Sequence, residues 1–263
     1  MIRNLALALL AISLPAFAQK ETPDDARYAN VAIPRTQLRW IIDTPTAGML
    51  PRGSFDLDMR TFSDGGLQAA LGIGLMNRFA VGLAYGASSV LSDTTPNWNP
   101  RLEFQLKFRL LEEGRGLPAI VVGYSSQGFG RFDDGKNRYQ VKSEGFYLSF
   151  SKNFNFYSNP AGWHWGANYS LENDVDRDPS VFIGFNSELG EDMMYLAEYD
   201  FALNDNRSDG VYGRGRGFLN MGLVWYLTDG LSLELDLKNL LRNRRDADAI
   251  DREARLVYVE YFY

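Results

Sequence analysis

The sequence of 263 residues has no cysteine and a single histidine, His164. Lack of cysteine excludes a disulfide scaffold, a thiolate zinc site and a cysteine nucleophile. One histidine excludes a multi-histidine metal centre. Positive charge is not in excess either: 27 Lys and Arg stand against 33 Asp and Glu, a formal net charge of −6. That balance argues against a partner made of nucleic acid, whose phosphates call for basic residues. Beyond residue 18 no stretch approaches the ~20 apolar residues of a transmembrane helix. The mean hydropathy of −0.26 resembles that of a water-soluble chain. Aromatics nevertheless make up 14% and glycine 25 residues, so pattern, not composition, has to decide the fold.

Residues 1–18 have the three parts of a secretory signal peptide. Arg3 supplies the positive start, Leu5 to Leu14 the apolar run, and Ala16-Phe17-Ala18 a small-x-small cleavage site. The expectation is an exported chain beginning at Gln19 and carrying no helical anchor. Residues 19–40, rich in charge and proline, are expected to form a loosely attached arm.

From Gly53 onward the apolar residues recur with period two. Phe55, Leu57 and Met59 alternate with Asp56, Asp58 and Arg60. Leu102, Phe104, Leu106, Phe108 and Leu110 alternate with Arg101, Glu103, Gln105, Lys107 and Arg109. Leu231, Leu233, Leu235 and Leu237 alternate with Ser232, Glu234, Asp236 and Lys238. A strand puts each class on its own face, whereas a helix would scatter both. Twelve strands are predicted, at about 53–63, 67–76, 79–90, 101–111, 117–127, 143–152, 162–172, 179–189, 193–203, 217–227, 231–240 and 252–263.

Their connections alternate between mostly tight (77–78, 112–116, 190–192, 228–230) and mostly long and polar (91–100, 128–142, 204–216, 241–251). Two break the rule: 153–161 is long on the tight side and 64–66 short on the other. Short turns at one rim and long loops at the other mark an outer-membrane barrel. The fold class is therefore all-β: a twelve-stranded antiparallel transmembrane β-barrel with periplasmic termini, residues 53–263, preceded by an arm or plug at 19–52. The final strand ends on Tyr263, a signal of the kind read by the barrel assembly machinery. The competing fold is a secreted sandwich or soluble barrel, in which the apolar face would be buried in one core.

With the apolar faces toward lipid, strands 2 and 3 send Ala70, Gly72, Gly74, Ala80, Gly82, Ala84 and Gly86 inward, a small-residue wall that leaves open space. The predicted lumen charges are Arg101, Lys107 and Arg109, with Glu103 among them, and Asp56, Asp58, Glu198, Asp200, Glu234, Asp236 and Glu260 on an acidic arc. Opposite signs across a narrow lumen can orient a polar solute; the same charges can instead pair and stiffen a closed interior. Trp163, Trp165, Tyr169, Tyr261, Tyr263, Tyr124 and Trp225 fall on the predicted lipid face as an interfacial girdle. In the long loops, Trp98, Phe129, Phe132, Tyr139 and Tyr212 accompany Arg131, Arg138, Arg214 and Arg216. These either touch lipopolysaccharide or pack the loops shut.

For catalysis, the inward-facing His164 with Ser149 or Ser151 is the one conceivable dyad. A phospholipid-cleaving site should face lipid, and no catalytic residue is assigned. No calcium-loop spacing occurs, Gly213 to Gly217 is no phosphate loop, and no cofactor or metal is expected.

Two stretches carry a family resemblance. Ile42-Asp43-Thr44-Pro45-Thr46-Ala47-Gly48-Met49-Leu50 precedes the first strand, and Gly123-Tyr124-Ser125-Ser126-Gln127-Gly128-Phe129-Gly130 is followed by Gly145 to Phe154. Together they resemble YjbH-type outer-membrane barrel proteins, over about residues 41–172. The resemblance implies a single-barrel relative in the cell envelope, linked to exopolysaccharide and to moving or guiding a polysaccharide. The barrel reading adds outer-membrane lipids and lipopolysaccharide as expected partners, with export proteins beside them. The predicted function is a pore or accessory for a polar solute such as a polysaccharide; a lipid-modifying hydrolase and a structural or adhesive barrel are the alternatives.

Overall fold

The computed structural model describes residues 37–157, 159–172, 175–247 and 249–262. The expected signal peptide, Tyr263 and most of the expected arm lie outside the described residues. In chain order the strands are β1 (Ser54–Phe62), β2 (Gly66–Met76), β3 (Phe79–Ser88), β4 (Asn97–Trp98) and β5 (Glu103–Leu111). Next come β6 (Ala119–Ser125), β7 (Phe129–Asp133), β8 (Arg138–Val141), β9 (Gly145–Phe156) and β10 (Asn159–Tyr169). The last five are β11 (Ser180–Glu188), β12 (Met193–Asp200), β13 (Phe218–Tyr226), β14 (Leu231–Lys238) and β15 (Asp251–Tyr261).

Twelve of the described strands, all but β4, β7 and β8, form one antiparallel ring in which each pairs with its neighbours in sequence order. The ring closes where β1 meets β15, with Ser54 opposite Tyr261 and Thr61 opposite Ala254. Closure satisfies the backbone groups that an open sheet would leave at its edges. The short β4 extends β3 by two pairs, and β7 with β8 makes a separate hairpin. Tight turns join β2–β3, β9–β10, β11–β12 and β13–β14 at one rim, the turn end; the longer loops gather at the other, the loop end.

The two faces of the ring differ as the alternation requires. Outward stand Leu57, Met59, Leu83, Phe104, Leu106, Phe108, Leu148, Trp163, Trp165, Ile183, Trp225, Leu235 and Leu256, all substantially exposed. Inward stand Asp56, Arg60, Glu103, Lys107, Glu198, Glu234, Asp236, Lys238, Glu253 and Arg255, all buried. A soluble barrel would reverse this distribution, since it must hide its aliphatic side chains from water. A greasy belt around an ionised interior suits immersion in lipid.

Three expectations need correction. The connection predicted at 153–161 is tight, because β9 runs on to Phe156 and β10 starts at Asn159. In β15 the faces are the reverse of those predicted. Glu253 and Arg255 are buried, so Val257, Val259 and Tyr261 also point inward. Glu260 points outward beside Phe55, where the Tyr258 hydroxyl donates to it. Two ionisable residues in mid-strand outweigh the aromatic pattern near the strand end, because a charge facing hydrocarbon is far costlier than an inward tyrosine.

Candidate functional site

The third correction concerns the space at the small-residue wall, which the chain itself fills. Residues 41–50 are buried to the last side chain and lie inside the ring. The segment enters at the turn end, just before β1. Within it a tight reversal is closed by Ile41 N donating to Thr44 O (2.9 Å) and Thr46 N to Arg39 O (3.0 Å). Gly72 and Gly74 are where it leans on the wall. A Cβ at Gly74 would come within 2.0 Å of Pro51 O; one at Gly72 would first meet Asp56 Oδ1 at 2.1 Å and then the Leu50 side chain at 3.1 Å. Gly74 must stay bare for the segment to pass, because the atom it would meet is backbone. Gly82 and Gly86 also face inward, but their nearest neighbours are Gln105 and the backbone of β2.

Glu198 binds the tip of this plug. Its carboxylate accepts from the backbone amides of Ile42 (3.1 Å), Asp43 (3.0 Å) and Thr44 (2.9 Å) and from the Thr44 hydroxyl (2.7 Å). Asn220 Nδ2 completes the set at 2.8 Å. A carboxylate is well matched to three converging amides, since charge-assisted bonds are the stronger ones. Beside it, Ile41 and Ile42 pack on an inward apolar patch of Met194, Leu196 and Val224. Ala47 and Met49 pack on Ala80, Ala119, Val121 and Tyr147 across the lumen.

The acidic arc is neutralised rather than bare. Arg60 reaches Asp43 (2.7 Å) and Glu253 (3.3 Å), and Lys238 reaches the same two acids at 2.7 and 2.8 Å. Arg255 joins Asp58 (2.6 Å) to Glu234 (3.4 Å), and Arg39 binds Asp56 at 2.6 Å. Sequence reasoning placed Asp56, Asp58, Glu198, Asp200, Glu234 and Asp236 on the lumen wall, and that is where they stand. It missed the cations between them. Arg60 and Lys238 lie two residues from Asp58 and Asp236, on the same strand faces, and that spacing was the signal. Asp200 sits at the loop end of β12, accepting from Ser180 Oγ and Ala202 N. The oxygens of Asp236 have no hydrogen-bond partner among the described residues.

Opposite this arc, Lys107 donates to Arg39 O (2.9 Å) beneath the Trp40 ring, and Arg109 donates to Ala47 O (3.1 Å). Both basic residues therefore hold the plug. Arg101 stands above them, half-exposed, pairing with the buried Glu103 at 3.0 Å.

From the loop end the β7–β8 hairpin folds into the mouth. Phe129 lies under Arg60 and Lys238, 4.9 and 5.0 Å from its ring centroid, and meets Trp40 of the plug edge-on at 6.5 Å. Arg138 is fully buried against Asp205 and over the Tyr212 ring. The Tyr139 hydroxyl donates to Glu103, and Tyr212 to Asp133. These aromatics and Arg138 pack the mouth shut; of the five predicted loop aromatics only Trp98 lies outside, stacked on Tyr85. Burial and the acids Asp200, Glu198 and Asp43 push the carboxyl of Glu144, in this loop, well up. Burial likewise raises Glu172 to about 7 despite Arg138 and Lys142 nearby.

Space remains at the turn end, in a cavity of about 490 Å³ lined among others by Arg109, Ser151, Asn153, Asn155, His164 and Asn186. Three further cavities along the lumen hold about 60, 60 and 20 Å³.

No protein-family model matches the sequence, and no curated protein matches it. Among solved structures the chain is similar to the KdgM porin, at TM-score 0.44 and 10% identity over 80% of this chain and 99% of that one. It is similar to the NanC porin at 0.42 and 10%, over 79% and 98%. A third is the COG4313 outer membrane channel from Pseudomonas putida F1, at 0.41 and 13%, over 83% and 100%. At such scores the chain's own walls and lumen are the guide to what it does.

Proposed function

We propose that this chain is an outer-membrane barrel that passes a small polar solute when its N-terminal plug leaves the lumen and the β7–β8 hairpin lifts from the mouth. The observation that carries the reading is the way the plug is held. It adds no strand to the ring; side chains of the wall hold it, above all Glu198, Arg60, Lys238, Lys107 and Arg109. A segment bound by side chains can be released without breaking the sheet, and its departure leaves a lumen lined with charge. The apolar belt meets membrane lipid. With short turns toward the periplasm and long loops outward, the plug enters from the periplasmic side and the loops meet lipopolysaccharide. Insertion of such a ring calls for the barrel assembly machinery.

The resemblance to YjbH-type proteins favours a saccharide as the solute. In support, Gln37, Asn153, Asn155 and Asn186 line the turn-end cavity and suit hydroxyl groups with both donors and acceptors. A lipid hydrolase gains no support, because His164 is buried on the inner wall, away from the belt. Planar-bilayer recording tests the proposal. The wild-type chain should conduct rarely; Glu198→Ala, which frees the tip of the plug, combined with deletion of residues 129–141, which clears the mouth, should conduct steadily. A fully folded barrel that carries both changes and stays silent would overturn it.

A further inference from the structure

Three side chains that a channel does not need stand in line on the turn-end wall. Ser151 of β9 and His164 of β10 are register partners. Ser151 Oγ lies 2.7 Å from His164 Nδ1, and His164 Nε2 lies 2.8 Å from Asn186 Oδ1 on β11. Gly162 makes room for the second contact: a Cβ there would sit 2.9 Å from Nε2 and 2.6 Å from Oδ1. The roles of the atoms follow from their other partners. Ala47 N donates to Ser151 Oγ at 2.7 Å, which leaves the hydroxyl hydrogen for Nδ1. Nδ1 is then an acceptor, so the ring proton is on Nε2 and donates to Asn186 Oδ1. Asn186 Nδ2 points the other way, toward Met194 Sδ.

The array lines the 490 Å³ cavity rather than a dry core. Arg109 lines the same cavity. Its Nη2 donates to Ala47 O, and its Nε has no hydrogen-bond partner among the described residues. A nucleophile, a base and a group orienting the base thus meet a cationic donor at an open space.

We infer that Ser151, His164 and Asn186 hydrolyse small polar esters that enter the turn-end cavity. Ser151 Oγ attacks the carbonyl carbon as its proton passes to His164 Nδ1. Arg109, whose Nε is without a hydrogen-bond partner among the described residues, is the donor at hand for the oxygen that gains charge. The carbon–alkoxide bond breaks, and Nδ1 returns the proton to the departing alcohol. Water then attacks the acyl carbon, giving a proton to Nδ1; Oγ leaves, takes that proton back, and a carboxylic acid is released. Asn186 is a positioning residue that keeps the ring in its working tautomer. The amide-lined cavity selects a short acyl group on a polar alcohol, and its inward position excludes bilayer lipid.

The test uses the full chain folded in detergent, 4-nitrophenyl acetate as substrate and a fluorophosphonate as covalent probe. The wild type should hydrolyse the ester and carry the phosphonyl mass on Ser151. Ser151→Ala and His164→Ala should each lower kcat by roughly a hundredfold or more. Ser149→Ala controls for loosening of the plug, since Ser149 Oγ donates to Pro45 O on the same strand face without touching His164; it should keep the rate. Asn186→Ala should lower kcat at unchanged KM, and Asn186→Asp should move the acid limb of the pH profile upward. Absence of label on Ser151 in the folded wild type would overturn the inference. So would full activity in His164→Ala, or a loss in Ser149→Ala equal to that in Ser151→Ala. None of these outcomes bears on conductance, so the channel reading stands or falls separately.

Discussion

In the loop half of the lumen, Arg60, Lys238 and Arg255 are interleaved with Asp43, Asp58, Glu234 and Glu253, and the cavity next to Lys238 and Glu253 is only about 20 Å³. In the turn half, Ser151, Asn153, Asn155, His164 and Asn186 share the wall of a cavity of about 490 Å³ with Arg109, Glu113, Glu188 and apolar side chains. Buried charges need partners at short range, so a wall rich in them draws its contents tight. Neutral polar groups tolerate water, so a wall where they separate the few charges can stay open. The plug crosses both regions, its tip locked among ions and its stem beside an open chamber.

The contrast can be broken most severely at Arg60. Arg60→Met leaves Asp43 and Glu253 with only Lys238 between them, and about 3–5 kcal/mol of stability should go, read as a lower urea midpoint in detergent. Gly74→Val is expected to cost about 1–3 kcal/mol, because the new Cβ meets backbone at Pro51. It should also displace the stem, so that trypsin cuts at Arg52. A smaller effect is expected from pH. Glu172, raised to about 7 by burial, favours the folded loops while protonated; that contribution is full below the ordinary carboxylate range and is lost as pH rises through about 7. Amide protection at residues 138–143 should therefore fall between pH 5 and 8, and Glu172→Gln should flatten the dependence. In the roomy half, Asn155→Ala should change stability by no more than about 0.5 kcal/mol.

The ring was legible because lipid on one side and water or ions on the other impose a strict period of two. In β5, Phe104, Leu106 and Phe108 alternate with Gln105 and Lys107 without a break, and only a strand sorts them onto separate faces. The facing of β15 was misread because Tyr261 and Val259 look as suited to lipid as Leu256 and Tyr258 do; the decisive residues, Glu253 and Arg255, lie earlier in the strand. The position of the plug was not legible. Ile41 to Leu50 has neither period, since a segment surrounded on all sides has no face to distinguish. Asn186 escaped notice for a different reason: an amide in a strand carries no motif, and only the folded ring brings it to His164.

The pairing of Ser54 with Tyr261 has a consequence for how the molecule is put together. The seam cannot be sewn until the final strand has been made, by which time the segment before β1 has long existed. The wall can thus be wrapped around its contents like staves around a mandrel, with no threading through a finished hoop.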